Sequence, residues 1–142
     1  MPQSLEFKQN SHLDPQLSDP GATASSVEKL TGHWVNTNPE TRGIAECVIE
    51  PDGLDLIVKV KATGVADPIA WPPTRAAVFA NMEEEAGQRT AALAVNFDFG
   101  FMKSETLIRI NKGVLVIVLF NSFLDDSGRS NYVTREFFYR AD

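Results

Sequence analysis

The chain has 142 residues, of which 43% are hydrophobic and 23% are charged, a composition typical of a soluble globular protein with room for one domain. Its formal net charge of −6 repels phosphate backbones and anionic lipid surfaces, so we expect neither nucleic acid nor a membrane as a partner. The sequence has no secretory signal pattern and no run near the ~20 apolar residues that span a bilayer. These features predict a cytoplasmic protein.

Residue types that support metal binding or covalent catalysis are scarce. Cys47 is the only cysteine, which excludes a disulfide within the chain, and no Cys/His cluster could hold zinc. No motif places His12 or His33 near a nucleophile. The acidic loop at 125–128 lacks the ligand spacing of an EF-hand. We therefore predict neither a metal site nor a cofactor.

The first part of the chain differs in composition from the rest. Residues 1–26 are rich in Gln, Asn, Ser, Asp, Pro and Gly, which cannot bury enough apolar surface to offset the entropy lost on ordering. We predict a flexible N-terminal tail at 1–26, followed by a domain at 27–142. Ser25, followed three residues later by Glu28, is a helix-start signal and predicts one helical turn before Gly32.

Beyond Gly32, turn signals separate β-like runs at the ~8–12-residue spacing of all-β folds. Eight strands are predicted, at 33–36, 44–50, 54–62, 75–80, 90–99, 102–110, 114–121 and 132–140. The strongest hairpin signal is Asp52-Gly53. No helical run is long enough for a crossover, so sequential antiparallel pairing is expected. The predicted fold is an all-β, eight-stranded antiparallel up-and-down barrel, with an open sandwich as the alternative.

A short motif on the first predicted strand suggests a family. Gly32-x-Trp34, preceded by a helical turn and followed by eight strands that end in an Arg-bearing strand, resembles the calycin superfamily of lipocalins, fatty-acid-binding proteins and avidins. The resemblance implies that Trp34 closes one end of the barrel and that Arg135 or Arg140 lies across it. Gly32-x-Trp34-x-Asn36 is also similar to the first strand of avidins, which implies that Asn36 points toward a ligand carbonyl.

The resemblance has limits. The usual lipocalin cysteines are absent, and Trp71 lies in a Trp-Pro-Pro loop that does not match an avidin ligand position. We therefore do not predict biotin binding.

Period-two alternation assigns the strand faces. On the strand at 54–62, the expected inward residues are Leu56, Val58, Val60 and Ala62. On the strand at 44–50 they are Ala45, Cys47 and Ile49, and on the strand at 102–110 they are Met102, Ser104, Thr106, Ile108 and Ile110. The strand at 90–99 is ambiguous. The strand at 114–121 is apolar on both faces, so its outer face needs cover from the N-terminal segment or from a second subunit. We expect a homodimer.

The last predicted strand has two possible orientations. If Arg135 crosses Trp34, Phe137 and Tyr139 share the interior. If Arg140 crosses it, Glu136 and Tyr132 face inward. The sequence leaves both open.

Candidate ligand-binding residues are Asn36, Trp71, Arg75, Ser104 and Thr106. Three of them have a structural alternative: Asn36 as a turn residue, Trp71 as a cap on the core, and Arg75 as a solvated charge. These candidates predict a barrel that binds a small, largely hydrophobic molecule.

The alternative is a cofactor-independent isomerase or cyclase, which the resemblance to calycins permits. Glu136 and Tyr132 would then be its acid/base pair, unless Glu136 is an outward ladder charge. An inward Glu136 favours catalysis, whereas an inward Phe137 favours binding. A third possibility is an interaction module whose barrel is filled by its own side chains.

Overall fold

A computed structural model describes residues 27–80 and 90–142. The predicted tail at 1–26 and the connection between the predicted strands at 75–80 and 90–99, up to residue 89, lie outside the described residues. A 3₁₀ turn at Val27–Lys29 precedes the first strand, in agreement with the predicted helical turn. The strands are β1 Gly32–Asn36, β2 Ile44–Asp52, β3 Asp55–Ala62, β4 Ile69–Ala70, β5 Thr74–Ala80, β6 Ala91–Asp98, β7 Met102–Asn111, β8 Val114–Phe123 and β9 Tyr132–Arg140.

The strands form a closed antiparallel barrel, which confirms the predicted fold class. Their order is β2-β1-β9-β8-β7-β6-β5-β3-β4, and an additional pairing of β2 with β3 closes the sheet on itself. Eight strands make up the barrel wall, and β4 is a short extra strand beside β3. Closure leaves no free edge on the wall except where β4 ends.

Turn chemistry explains the two hairpins that the sequence indicates most clearly. The β2–β3 hairpin pairs Asp52 with Asp55 across a turn in which Gly53 has a φ of 64°. The β7–β8 hairpin turns at Lys112 and Gly113, with φ values of 54° and 81°. A left-handed pair of this kind matches the twist of the two strands it joins.

The predicted loop at 63–73 contains the additional strand. Ile69 and Ala70 pair with Ala62 and Lys61, and the Trp71 amide donates to the Val60 carbonyl at 2.9 Å. Prolines on both sides of β4 have no N–H to extend the ladder, which limits its length.

The interior side chains follow the predicted alternation on most strands. Residues that face inward and are almost fully buried include Cys47 and Ile49 on β2; Leu56, Val58 and Val60 on β3; Leu93, Val95 and Phe97 on β6; Ile108 on β7; Leu115, Ile117 and Leu119 on β8; and Phe138 on β9. The ambiguous strand at 90–99 therefore directs its Leu93 face into the core. The interior is apolar along most of its length.

The predicted inward orientation of Ala45 was wrong. Ala45 is only half-buried, whereas its neighbour Ile44 is 1% exposed. The register between β2 and β3 shifts between Ile44 and Glu46, as in a β-bulge. The extra residue in β2 changes which side chain reaches the core, and strict alternation does not anticipate such a shift.

The last strand has its Arg140 face toward the interior. Arg140 pairs with Trp34, and Phe138 pairs with Asn36. Phe138 is fully buried, whereas Phe137 and Tyr139 are 40% and 51% exposed on the outside. Glu136 consequently faces the inside of the barrel, and Arg135 faces outward.

Candidate functional site

One end of the barrel is closed by Trp34 and Arg140. The Trp34 ring is buried, and its Nε1 donates to the Leu30 carbonyl at 2.9 Å. The Arg140 guanidinium carbon lies 4.4 Å from the centre of this ring, and its Nη2 donates to the Lys29 carbonyl at 2.6 Å. A cation over an indole face, with its N–H groups on backbone carbonyls, joins the 3₁₀ turn to the last strand.

The backbone at Gly32 fits this closure. Its φ is 129°, and a Cβ there would lie 2.4 Å from Arg140 Nη1. Both the conformation and the space therefore favour glycine. Gly32, Trp34 and Arg140 form a structural closure, whereas Arg135 lies on the outer face, with its guanidinium 5.4 Å from the Phe137 ring.

The Asn36 side chain forms hydrogen bonds with the β1–β2 connection and with Glu136. Its Nδ2 donates to the Ile44 carbonyl at 2.8 Å and to Glu136 Oε1 at 3.1 Å. Its Oδ1 accepts from the Asn38 amide at 2.8 Å. Both amide hydrogens and the oxygen are thus used within the protein, which corresponds to the turn role.

Glu136 is the centre of the same network. Its carboxylate accepts from Thr41 Oγ1 at 2.6 Å and from the Ile44 amide at 3.1 Å, in addition to Asn36. A Cβ on Gly43 would lie 2.6 Å from Glu136 Oε2, so the chain passes directly against the carboxylate. Three donors on one carboxylate make Glu136 an anchor for the β1–β2 connection.

Tyr132 does not lie close to Glu136. Four residues along one strand separate their Cα atoms by ~13 Å. Tyr132 is 48% exposed at the rim, and its ring centre lies 6.1 Å from that of Phe123. The two residues share the inward face but do not form an acid/base pair.

Polar side chains collect on one wall at the other end of the barrel. Ser104 and Thr106 are 0% and 4% exposed, and their hydroxyl oxygens lie 3.2 Å apart. Asn121, on the neighbouring strand, is directly opposite Ser104 in the register. These three residues face inward among aliphatic side chains.

Asn121 differs from the other buried polar residues of this wall. It is 5% exposed, and its side-chain amide forms no hydrogen bond within the part of the chain that the structure describes. Neither Nδ2 nor Oδ1 is fully buried, so the amide keeps contact with solvent and loses only part of its hydration. The residue therefore has a donor and an acceptor available at the end of the barrel opposite Trp34.

An aromatic group faces the same end. The Trp71 ring centre lies 4.9 Å from that of Phe97 and 5.0 Å from that of Phe99, in both cases edge to face. Phe97 pairs with Ser104, which pairs with Asn121, so one row across three strands runs from the aromatic group to the free amide. Neighbouring strands are ~4.8 Å apart, which places Phe97 and Asn121 ~10 Å from each other.

This end of the barrel is the more accessible one. The inward residues Met102 and Thr134 and the Trp71 side chain are each half-buried. At the other end, Trp34, Leu30 and Leu115 are no more than 1% exposed. We call this end of the barrel, with its half-buried residues, the mouth.

Arg75 is separate from the mouth. It pairs with Ile57 on the outward side of the sheet and lies 3.3 Å from Asp55, with both side chains more than half exposed. A groove of about 380 Å³ beside the His33–Glu46 pair and the Pro73 loop is lined mainly by outward residues, and also by Val60 and Trp71.

Sequence reasoning did not select Asn121, Phe97 or Phe99. A signal for Asn121 exists in the alternation Leu115, Ile117, Leu119, Asn121, which continues an inward apolar row with an amide. The sequence did not identify this row as the inward one because both faces of the strand are apolar. The Trp71 contacts depend on β4, which period-two patterning does not reveal in a proline-rich loop.

Comparison of the chain with protein-family models, with curated proteins and with solved structures finds no match in any of the three. Among residues 27–80 and 90–142, no helix is long and apolar enough to cross a membrane. The same residues contain no group of three or more His, Cys, Asp or Glu side chains arranged to hold a metal ion.

Proposed function

We propose that this protein is a calycin-like barrel that binds a small, largely apolar molecule through its mouth. Closure of an eight-stranded antiparallel barrel by a tryptophan and an arginine from the last strand is compatible with a calycin-like fold. The observation that carries the proposal is Asn121, whose inward, largely buried amide has no hydrogen-bond partner among the described residues and keeps contact with solvent. A ligand that enters the mouth would take the place of solvent as the partner of this amide.

The surroundings of Asn121 define the chemistry of the ligand. The amide offers one acceptor and two donors, and the Ser104 and Thr106 hydroxyls lie beside it. The rest of the wall is aliphatic or aromatic. The best match is an apolar chain or ring with one neutral head group that both donates and accepts, such as a primary amide or an alcohol.

A competition titration tests this proposal. N-phenyl-1-naphthylamine, an apolar fluorophore, is bound first and then displaced with decanamide. In the Asn121→Leu variant, decanamide should bind about tenfold more weakly, because loss of a buried hydrogen bond of about 1.4 kcal/mol is a tenfold change. Affinity for the fluorophore itself should change by less than about threefold, since its contacts are mainly apolar.

Asn96→Leu is the matched control. Asn96 is exposed on the outer face of β6, two strands away from Asn121, so the same chemical change there should leave both affinities unaltered. Equal loss of decanamide binding in the two variants would contradict a role for Asn121. Failure of the wild-type protein to bind the fluorophore would favour a barrel filled by its own side chains.

The second candidate is an isomerase or cyclase, which is favoured by the inward orientation of Glu136. Against it, the carboxylate already accepts from Asn36, Thr41 and the Ile44 amide. Catalytic residues are commonly unfavourable for stability, and their removal then stabilises the protein. Unfolding of Glu136→Gln therefore distinguishes the roles: a gain in stability supports catalysis, and a loss supports the anchor.

A further inference from the structure

The outer face of β7, β8 and β9 exposes a continuous group of large apolar side chains. Its exposed members are Leu107 (37%), Phe120 (54%), Val133 (57%), Phe137 (40%) and Tyr139 (51%). They are neighbours through the register, in which Phe120 pairs with Val133 and Phe137 pairs with Val116, which is itself only 5% exposed. We call this set, with the outward valines of β8, the apolar face. A contiguous patch of this kind is typical of a protein contact surface.

Two opposite charges flank the middle of the apolar face. Glu105 on β7 pairs with Phe120, and Arg135 on β9 pairs with Val118. They lie on opposite sides of β8 and one row apart, which separates them by ~12 Å within one copy. At this distance they do not pair with each other, and Glu105 instead forms an exposed ion pair with Lys103 at 3.4 Å. Arg135 forms no ion pair with any residue that the structure describes.

We propose that the apolar face is the interface between two copies of this chain. A two-fold axis that lies in the plane of the face and passes between Val118 and Phe120 would exchange the positions of Glu105 and Arg135. Each Glu105 would then meet the Arg135 of the second copy, so the dimer gains two ion pairs around an apolar centre. A surface that is complementary to itself in this way is the requirement for a two-fold dimer.

Sedimentation velocity and light scattering test the dimer. The wild-type protein should have twice the 15.6 kDa mass of the chain. Glu105→Arg and Arg135→Glu should each raise the dimer dissociation constant about tenfold or more, because each places like charges in contact. The double charge reversal should restore the wild-type constant to within about threefold.

Two further variants keep the test decisive. Phe120→Ser should give a monomer that still binds N-phenyl-1-naphthylamine, which separates this inference from the proposed ligand site. Leu54→Ser, at an exposed apolar residue in the β2–β3 turn, is the control and should remain a dimer. A wild-type monomer at high concentration, or no rescue by the double reversal, would overturn the proposal. A monomer that dimerises only after removal of residues 1–26 would assign the apolar face to the tail.

Discussion

Replacement of Asn121 by leucine should stabilise the protein in the absence of ligand. The residue is 5% exposed and its amide forms no hydrogen bond within residues 27–80 and 90–142, so the folded state bears part of the cost of desolvating it. Because Nδ2 and Oδ1 keep contact with solvent, removal of that cost is worth the lower end of the range of about 1–3 kcal/mol. Leucine has nearly the same size and continues the apolar row of Leu115, Ile117 and Leu119. A small loss from imperfect packing leaves an expected gain of up to about 1 kcal/mol in the free energy of unfolding.

Urea unfolding followed by tryptophan fluorescence measures this gain, with Trp34 as a buried reporter. The midpoint should rise while the slope of free energy against urea stays constant, because the surface exposed on unfolding is almost unchanged. The melting temperature should rise by roughly 4–8 °C. Asn96→Leu on the outer face should stay within about 0.5 kcal/mol of wild type. A loss of more than about 1 kcal/mol for Asn121→Leu would refute the reasoning, since it would mean that the amide has a stabilising partner.

Three more predictions concern the closure, the carboxylate network and the buried thiol. Glu136→Gln should lower the unfolding free energy by about 2 kcal/mol in urea titrations, because one carboxylate oxygen becomes a donor that faces other donors. Glu40→Gln, at an exposed residue, should cost less than about 0.5 kcal/mol, and equal effects would rule out the anchor. Arg140→Ala should cost about 2 kcal/mol, with faster amide hydrogen exchange near Leu30 and Thr31, and unchanged exchange there would contradict the closure. Burial raises the pKa of the Cys47 thiol from 9.0 to about 12. The folded state therefore binds more protons than the unfolded state between these values, so stability is retained below pH 9 and falls above it by about 1 kcal/mol per pH unit. Urea midpoints at ~pH 8 and ~pH 10.5 should show this alkaline loss in wild type but not in Cys47→Ala, and identical pH dependence in the two would contradict it.

The closed barrel was predictable because its signals are local and repeated. Turn residues such as Asp52-Gly53 mark the strand ends, and alternation on β3 and β7 identifies the buried face. The choice between Arg135 and Arg140 was not predictable. Both lie on the last strand, but their side chains are on opposite faces of the sheet. Only the pairing of Arg140 with Trp34 decides which of them faces inward.

The candidate site was less accessible to sequence reasoning because it depends on contacts between strands far apart in the chain. Asn36 has the expected inward position, but the β1–β2 connection folds back and uses its amide. The bulge at Ile44 shifts one side chain of β2 into the core without a glycine or proline to signal it. Asn121 became visible only when its register with Ser104 and the absence of a described hydrogen-bond partner were known.

The central claim is that the mouth binds an apolar molecule whose head group contacts Asn121, and NMR tests it most directly. In a ¹H–¹⁵N correlation spectrum, addition of decanamide should shift the side-chain NH₂ resonances of Asn121 and the backbone amides of Phe97 and Ser104. The side-chain resonances of Asn96, on the outer face, should stay in place. Shifts confined to the outer groove beside His33 and Glu46, or no shifts at all with decanamide in excess, would contradict the account.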